Sequence, residues 1–330
     1  MRGLCSPIGS PFCQTNDLNP ADVIDRRGFV FTTLDGADIA AKCVYHSIDY
    51  PESISDSEPF HFSNLGSDCV RVTRMNWNGK VIFLTGASSG IGEALALALA
   101  TRGAIVGLVA RRREMLDDLA DRCRAAGGQA RSYALDVTDE VAVYDAADEM
   151  RSEFGHIDVL IANAGIGGND DETRSYKPIA VKKVIDTNLM GAVNAVHAVV
   201  PKMVERGYGQ VVAISSLAGF RGLPKSAAYS ASKAGMTAFF ESVRLDLRHT
   251  GVDVTIIQPG FIRTPLTSGR ANKMPFLMEL DDAIPNFIRA IEKKKKFAAF
   301  PWQLATIVRA GKLMPAWLYD RIAGRARYRE

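Results

Sequence analysis

At 330 residues, 47% hydrophobic and 23% charged, the chain has ordinary globular composition, which excludes a wholly disordered, collagen-like or coiled-coil molecule. A formal net charge of +3 is too small, and too evenly spread over the central region, for binding driven by neutralising nucleic-acid phosphates. The five cysteines, Cys5, Cys13, Cys43, Cys69 and Cys123, include no CxxC pair, so neither a disulfide scaffold nor a structural zinc site is expected; His156, His197 and His249 lack partners at metal-ligand spacing.

The opening residues MRGLCSPIGSPFCQ hold no apolar stretch of the roughly 7–15 residues a secretory leader needs. No later window reaches the roughly 18 uninterrupted apolar residues of a spanning helix, and a cytoplasmic protein is expected. Residues 1–74, rich in Ser, Asp, Pro and Asn, have no sustained period and read as a poorly structured N-terminal extension. Met75, just before the first patterned strand, reads as an alternative start that would make this extension an appendage.

From Lys80 the pattern becomes short β-branched or apolar runs alternating with amphipathic stretches. Strands are predicted at 81–85, 104–110, 130–136, 158–163, 209–215, 252–258 and 296–300, and helices at 91–101, 113–126, 139–154, 178–205, 227–250 and 281–294. The strands are apolar nearly throughout, so both faces of their sheet must be covered. The expected fold is α/β: a Rossmann-like, doubly wound, parallel seven-stranded sheet with helices on both faces. It spans a catalytic domain at 75–300, followed at 301–330 by a basic amphipathic helical tail.

Directly after the first strand stands Thr85-Gly86-Ala87-Ser88-Ser89-Gly90-Ile91-Gly92, with an Ala- and Leu-rich helix behind it. A glycine-rich turn between strand and helix lets backbone approach a pyrophosphate, whose charge meets free N–H groups at the positive end of the helix. The spacing GxxxGxG departs from the GxGxxG fingerprint, so the setting carries the reading more than the glycines do. The second strand ends Ala110-Arg111-Arg112, where an NAD site places an acidic residue for the ribose 2′-hydroxyl. Ala110 leaves that place empty and Arg111 offers a cation for a phosphate, with Ser88 adding a hydroxyl; NADP(H) is expected over NAD(H). The plainer reading makes Arg111 to Arg113 a solvated helix start, although cations there oppose the helix dipole.

Tyr229 and Lys233 lie at i and i+4 of a helical pattern, hence on one face. An ammonium about 4 Å from a phenol, at an effective dielectric near 20, is worth about 4 kcal/mol. That is about what bringing a tyrosine from about 10 to about 7 requires, so the pair can trade a proton with a carbonyl or alcohol oxygen. Upstream, just past a strand end, Ser216 could hold that oxygen; the alternative for Ser215 and Ser216 is turn chemistry.

TGASSGIG (85–92), DVT (136–138), NAG (163–165), Asn188 in DTNLMG, ISSLAG (214–219), YSASK (229–233) and QPGFIRT (258–264) together resemble the ordered motifs of the short-chain dehydrogenase/reductase family, over about 75–265. The resemblance implies that Tyr229 is the acid/base, that Lys233 lowers its pKa and binds the nicotinamide ribose, and that Ser216 orients the reacting oxygen. It further implies that Asn188 holds a water in a proton relay from Lys233. Gly86, Ser88, Ser89, Gly90, Ile91 and Gly92 would form the phosphate loop. Asp136 and Val137 would contact the adenine, Asn163, Ala164 and Gly165 would pack beside the cofactor, and Pro259, Gly260, Ile262 and Thr264 would border the nicotinamide. Family members are commonly dimers or tetramers, so a homo-oligomer is expected. The expected activity is reversible hydride transfer between NADP(H) and a carbonyl/alcohol pair. The rivals are a non-catalytic dinucleotide sensor, and a dehydratase or epimerase, for which the residues after Thr264 leave little room.

Leu266, Met274, Phe276, Leu277 and Met278 form an apolar, Met-containing loop, which reads either as a lid over a hydrophobic substrate or as packing for the next helix. In the tail, Arg309, Lys312, Arg321, Arg325, Arg327 and Arg329 accompany Trp302, Leu313, Trp317 and Leu318. That combination suits either an anionic membrane surface or a solvated face on a core-packed helix.

Overall fold

A computed structural model of the chain describes residues 75–167, 175–268 and 274–323, together with Val23–Ile24 and Val30–Phe31. The chain divides into two units, Met1–Thr73 and Arg74–Glu330. In the first, β1 (Val23–Ile24) pairs antiparallel with β2 (Val30–Phe31). The expected N-terminal extension otherwise lies outside the described residues, as do Arg325, Arg327 and Arg329.

The second unit is built on seven parallel strands: β3 (Val81–Thr85), β4 (Ile105–Ala110), β5 (Gln129–Ala134), β6 (Val159–Ala162), β7 (Gly209–Ile214), β8 (Val252–Pro259) and β9 (Phe297–Phe300). Their order across the sheet is β5-β4-β3-β6-β7-β8-β9. This is the Rossmann-like, doubly wound sheet expected from the sequence. Strand order reverses between β3 and β6, and in such sheets ligands bind outside the carboxyl ends at that switch point.

The period-2 alternation of strand side chains sends successive residues to opposite faces. Ile82, Leu84, Val106, Leu108, Val159 and Ile161 pack under α1 (Gly90–Ala100), α2 (Arg113–Ala125) and α7 (Leu280–Glu292). Their neighbours Val81, Phe83, Val109, Leu160 and Ala162 pack under α3 (Glu140–Phe154), α5 (Gly191–Arg206) and α6 (Ala227–Asp246). Two cores, one on each face, hold the sheet rigid, and burial on both sides explains the unbroken apolar runs.

Beyond shifts of one or two residues at strand ends, three expected helical segments differ. The helix predicted at 178–205 is α4 (Pro178–Ile185), a π-turn (Asp186–Met190) and α5. A π-turn admits one extra residue without leaving helical backbone, so the 3.6-residue pattern does not register it. The helix expected to reach 250 stops at Asp246, before positive-φ residues His249 and Gly251. The tail forms α8 (Trp302–Leu313) and α9 (Ala316–Ala323), separated at Pro315, which lacks the N–H to continue a helix. Among the described residues, no helix is long and apolar enough to cross a membrane.

Candidate active site

The loop after β3 is tied to the end of β6 by a compact set of bonds. Thr85 Oγ1 accepts from the N–H groups of Asn163 (3.0 Å) and Ala164 (3.1 Å). Asn163 Nδ2 donates to the carbonyls of Thr85 (3.0 Å) and Gly86 (3.1 Å). Asn163 therefore spends its side chain on shaping the crevice wall.

That crevice has a volume of about 410 Å³. On its surface lie Gly86, Ser88, Ser89, Gly90, Ile91, Arg111, Asp136, Val137, Asn163, Ala164 and Gly165, with Ser216, Tyr229, Lys233, Pro259, Gly260, Ile262 and Thr264. Gly92, expected in the phosphate loop, is not among the lining residues. A Cβ there would stand 2.2 Å from the Gly86 carbonyl oxygen, so this glycine serves the contact between α1 and the loop. Nor does Asn188 line the crevice: it is fully buried in the π-turn. Its Oδ1 accepts from the Ile166 N–H (2.7 Å), and its Nδ2 donates to the Ile166 carbonyl and to Ser232 Oγ (3.0 Å each). A Cβ added at Gly165 would lie 3.4 Å from Asn188 Oδ1 and 3.5 Å from Lys233 Nζ, so the amide and the amine flank one point.

Sequence reasoning passed over Arg112. Its Nη2 donates to Ser88 Oγ (2.9 Å) and Ser89 Oγ (3.0 Å), which fixes a guanidinium across the glycine loop. Arg111 Nη1 stands 3.7 Å from Asp136 Oδ2, across the crevice mouth. No local spacing signals the Arg112 contact, because Ser88 lies 24 residues back in the chain.

Lys233 is 4% exposed, and its Nζ donates to the Ile214 carbonyl (2.8 Å). Burial, which penalises the charged form, pulls its pKa from 10.5 down to about 8. Ser216 precedes a 3-10 turn (Leu217–Gly219), and its Oγ accepts from the Ala218 N–H (3.1 Å). Accepting leaves the hydroxyl proton free to donate to an incoming oxygen. Ser215, its neighbour, is the structural one of the pair: its Oγ donates to the Lys233 carbonyl (2.9 Å).

Ser216 and Tyr229 also line a second cavity of about 280 Å³, walled by Leu217, Leu223, Leu304, Val308 and Met314. Of the five loop residues read as a lid, Leu266 and Met274 reach it. Met278 instead bridges to Ile262 and packs on the core, and Phe276 is exposed at positive φ. The tail does more than expected, because α8 and α9 supply much of the wall. Leu304 of α8 sits close enough over Gly260 that a Cβ there would meet it at 2.7 Å.

A family model described as short chain dehydrogenase matches residues 80–275. The chain belongs to the short-chain dehydrogenase family. An uncharacterized oxidoreductase of Myxococcus xanthus (strain DK1622) is 45% identical over 248 residues, covering 75% of this chain and 98% of that one. A metagenomic short-chain oxidoreductase solved in complex with NADP is 32% identical with a TM-score of 0.59, covering 68% of this chain and 96% of that one. A short chain dehydrogenase from Mycobacterium paratuberculosis bound to NAD shares the fold (TM-score 0.63, 23% identity; 68% of this chain, 97% of that one). This chain is accordingly an NAD(P)-dependent dehydrogenase/reductase. Its residues fit a dinucleotide: Ser89, the N-cap of α1, makes no side-chain cap bond, so the first-turn N–H groups are left for a pyrophosphate.

Proposed function

We propose that this dehydrogenase interconverts a hydrophobic carbonyl compound and its alcohol with NADP(H) as preferred cofactor. The observation that carries the reading is the position of Ser216 and Tyr229 on the boundary shared by the dinucleotide crevice and the apolar cavity. A carbonyl lodged there has one neighbour able to donate a hydrogen bond and another able to deliver a proton. A reduced nicotinamide held in the crevice would supply the hydride. Ser216 orients the carbonyl oxygen through its free O–H, Tyr229 protonates that oxygen as charge develops, and Lys233 holds positive charge beside the phenol. The wall formed by Leu217, Leu304, Val308 and Met314 accommodates the apolar part of the substrate and excludes water.

What supports NADP(H) is the absence of a carboxylate at Ala110 and the two guanidinium groups of Arg111 and Arg112 at the adenosine end. Asn188 in our reading braces the segment opposite Lys233, and any relay water would sit in the gap the two flank at Gly165. We also infer contact with anionic membrane surfaces through the outer face of α8 and α9. Trp302 (72%), Leu313 (88%) and Trp317 (70%) are exposed there beside Arg309, Lys312 and Arg321.

Tyr229→Phe tests the core of the proposal. Turnover should fall about 10²–10⁴-fold, while NADPH binding by fluorescence titration stays within twofold of wild type. Near-normal turnover removes Tyr229 as the acid.

A further inference from the structure

Between Ser216 and Tyr229 the chain passes through Arg221, a residue the chemistry above does not use. Its Nη1 donates to the carbonyls of Gly311 (2.6 Å) and Met314 (2.7 Å) at the end of α8. A cation on the orphan carbonyls of a helix C-terminus is favourable both as a hydrogen-bond donor and toward the dipole. The guanidinium also stacks on Tyr319 of α9, 3.9 Å from its ring centroid. Tyr319 in turn donates its phenol proton to the Gly222 carbonyl (2.6 Å), next to Arg221 in the chain. One side chain and its neighbour thus hold the end of one helix and the middle of the next.

Both helices wall the apolar cavity, and Arg221, Met314 and Tyr319 are themselves on its surface. The start of α8 is anchored separately, since Leu304 and Ala305 are buried against Leu217. The end of α8 and α9 are held by Arg221, with Val308 packed on the Leu217 cluster, Lys312 over the Phe220 ring (5.8 Å) and buried Ala323 as further anchors.

We propose that Arg221 is a positioning and specificity-determining residue, which fastens the α8–α9 corner over the cavity and so selects carbonyl substrates carrying an extended apolar part. This rests on the reading that such a substrate occupies the cavity. A short substrate reaches Ser216 and Tyr229 without touching the corner. A long one fills the space beneath it, where burying a single methylene is worth a few-fold in affinity.

The test uses the full chain, with Arg221→Ala and Arg221→Lys; lysine keeps the charge without the planar fork or the stacking. Amide hydrogen exchange across residues 302–323 should speed up at least tenfold from 311 to 323 in Arg221→Ala and by less in Arg221→Lys, with α6 unchanged. Binding of the neutral fluorophore N-phenyl-1-naphthylamine should weaken about tenfold. In NADPH oxidation, KM for decanal should rise about tenfold at unchanged kcat, while kcat/KM for propanal stays within twofold. Unaltered exchange at 311–323 overturns the fastening role, and so does an equal loss for both aldehydes. If wild type reduces neither aldehyde, the substrate reading loses support, yet exchange and fluorophore binding still decide the role of Arg221. An Arg221→Ala chain without cooperative thermal unfolding transfers the decision to Arg221→Lys.

Discussion

Replacing Lys233 by methionine should make the cofactor-free protein more stable while abolishing its turnover. The amine is 4% exposed, and its pKa drops from 10.5 to about 8 through burial. Below pH 8 the group is protonated in both folded and unfolded chains, and the folded chain carries the whole burden of the buried charge. At about 1.4 kcal/mol per pKa unit, that burden is about 3 kcal/mol. Methionine removes it but also removes the hydrogen bond to Ile214, worth about 1 kcal/mol. A net gain of about 2 kcal/mol at pH 7 corresponds to about 4–8 °C in Tm for a domain of this size. The sign follows from linkage: the unfolded chain binds more protons between pH 8 and 10.5, so wild-type stability rises across that window and the advantage of the variant shrinks through it. Thermal unfolding followed by circular dichroism at pH 6, 7 and 10 checks this. A Tm at pH 7 equal to or below that of wild type, or a difference constant with pH, refutes the buried-charge argument.

Two further outcomes follow from the same geometry. Arg112→Ala and Arg111→Ala should each weaken NADPH about tenfold or more, the scale of a lost charge-assisted hydrogen bond, while NADH changes less than about twofold in calorimetric titration; equal losses for both nucleotides remove the 2′-phosphate role. In flotation assays the protein should rise with phosphatidylglycerol vesicles at low salt but not with phosphatidylcholine vesicles, and Leu313→Asp with Trp317→Asp should abolish this; salt-insensitive or lipid-indifferent behaviour removes the membrane-facing role of α8 and α9.

The sheet was legible because its code is local. The central strands β3, β4, β6 and β7 are short, mostly apolar runs buried on both faces, whereas the edge strand β5 (QARSYA) alternates between exposed and partly buried positions. That the glycine loop, Tyr229 and Lys233 face one crevice follows from the same local code, since spacing fixes which groups share a turn or a helix face. What escaped was whatever depends on approach between distant segments. At Gly92 the absence of a side chain is required by the Gly86 carbonyl, which a Cβ would meet at 2.2 Å. Arg112 reaches back 24 residues to Ser88, which no pattern within the helix start encodes. For Met278, composition fits a lid or packing for the next helix, and its backbone bonds to Phe261 and Arg263 with its place against the core match the packing reading. Leu304, Val308 and Met314 show an amphipathic pattern that fits a cavity wall as well as any other buried face.

Ser215 and Ser216 show how much one backbone step decides. At the end of β7 consecutive side chains diverge, so Ser215 turns toward α6 and Ser216 toward the two cavities. The Ser215 hydroxyl, the Thr237 hydroxyl (2.8 Å away) and the Lys233 carbonyl form one cluster, which locks strand β7 to the turn of α6 that carries the amine. Lys233 Nζ closes a second link in the opposite direction, to the carbonyl of Ile214. Two crossed bonds therefore set the distance between the strand bearing Ser216 and the helix bearing Tyr229. The acid/base chemistry proposed for Ser216 and Tyr229 tolerates only about half an ångström of error between its groups. The Ser215 hydroxyl and the buried amine supply that constraint, and Lys233 bears the cost in stability that the methionine variant is designed to reveal.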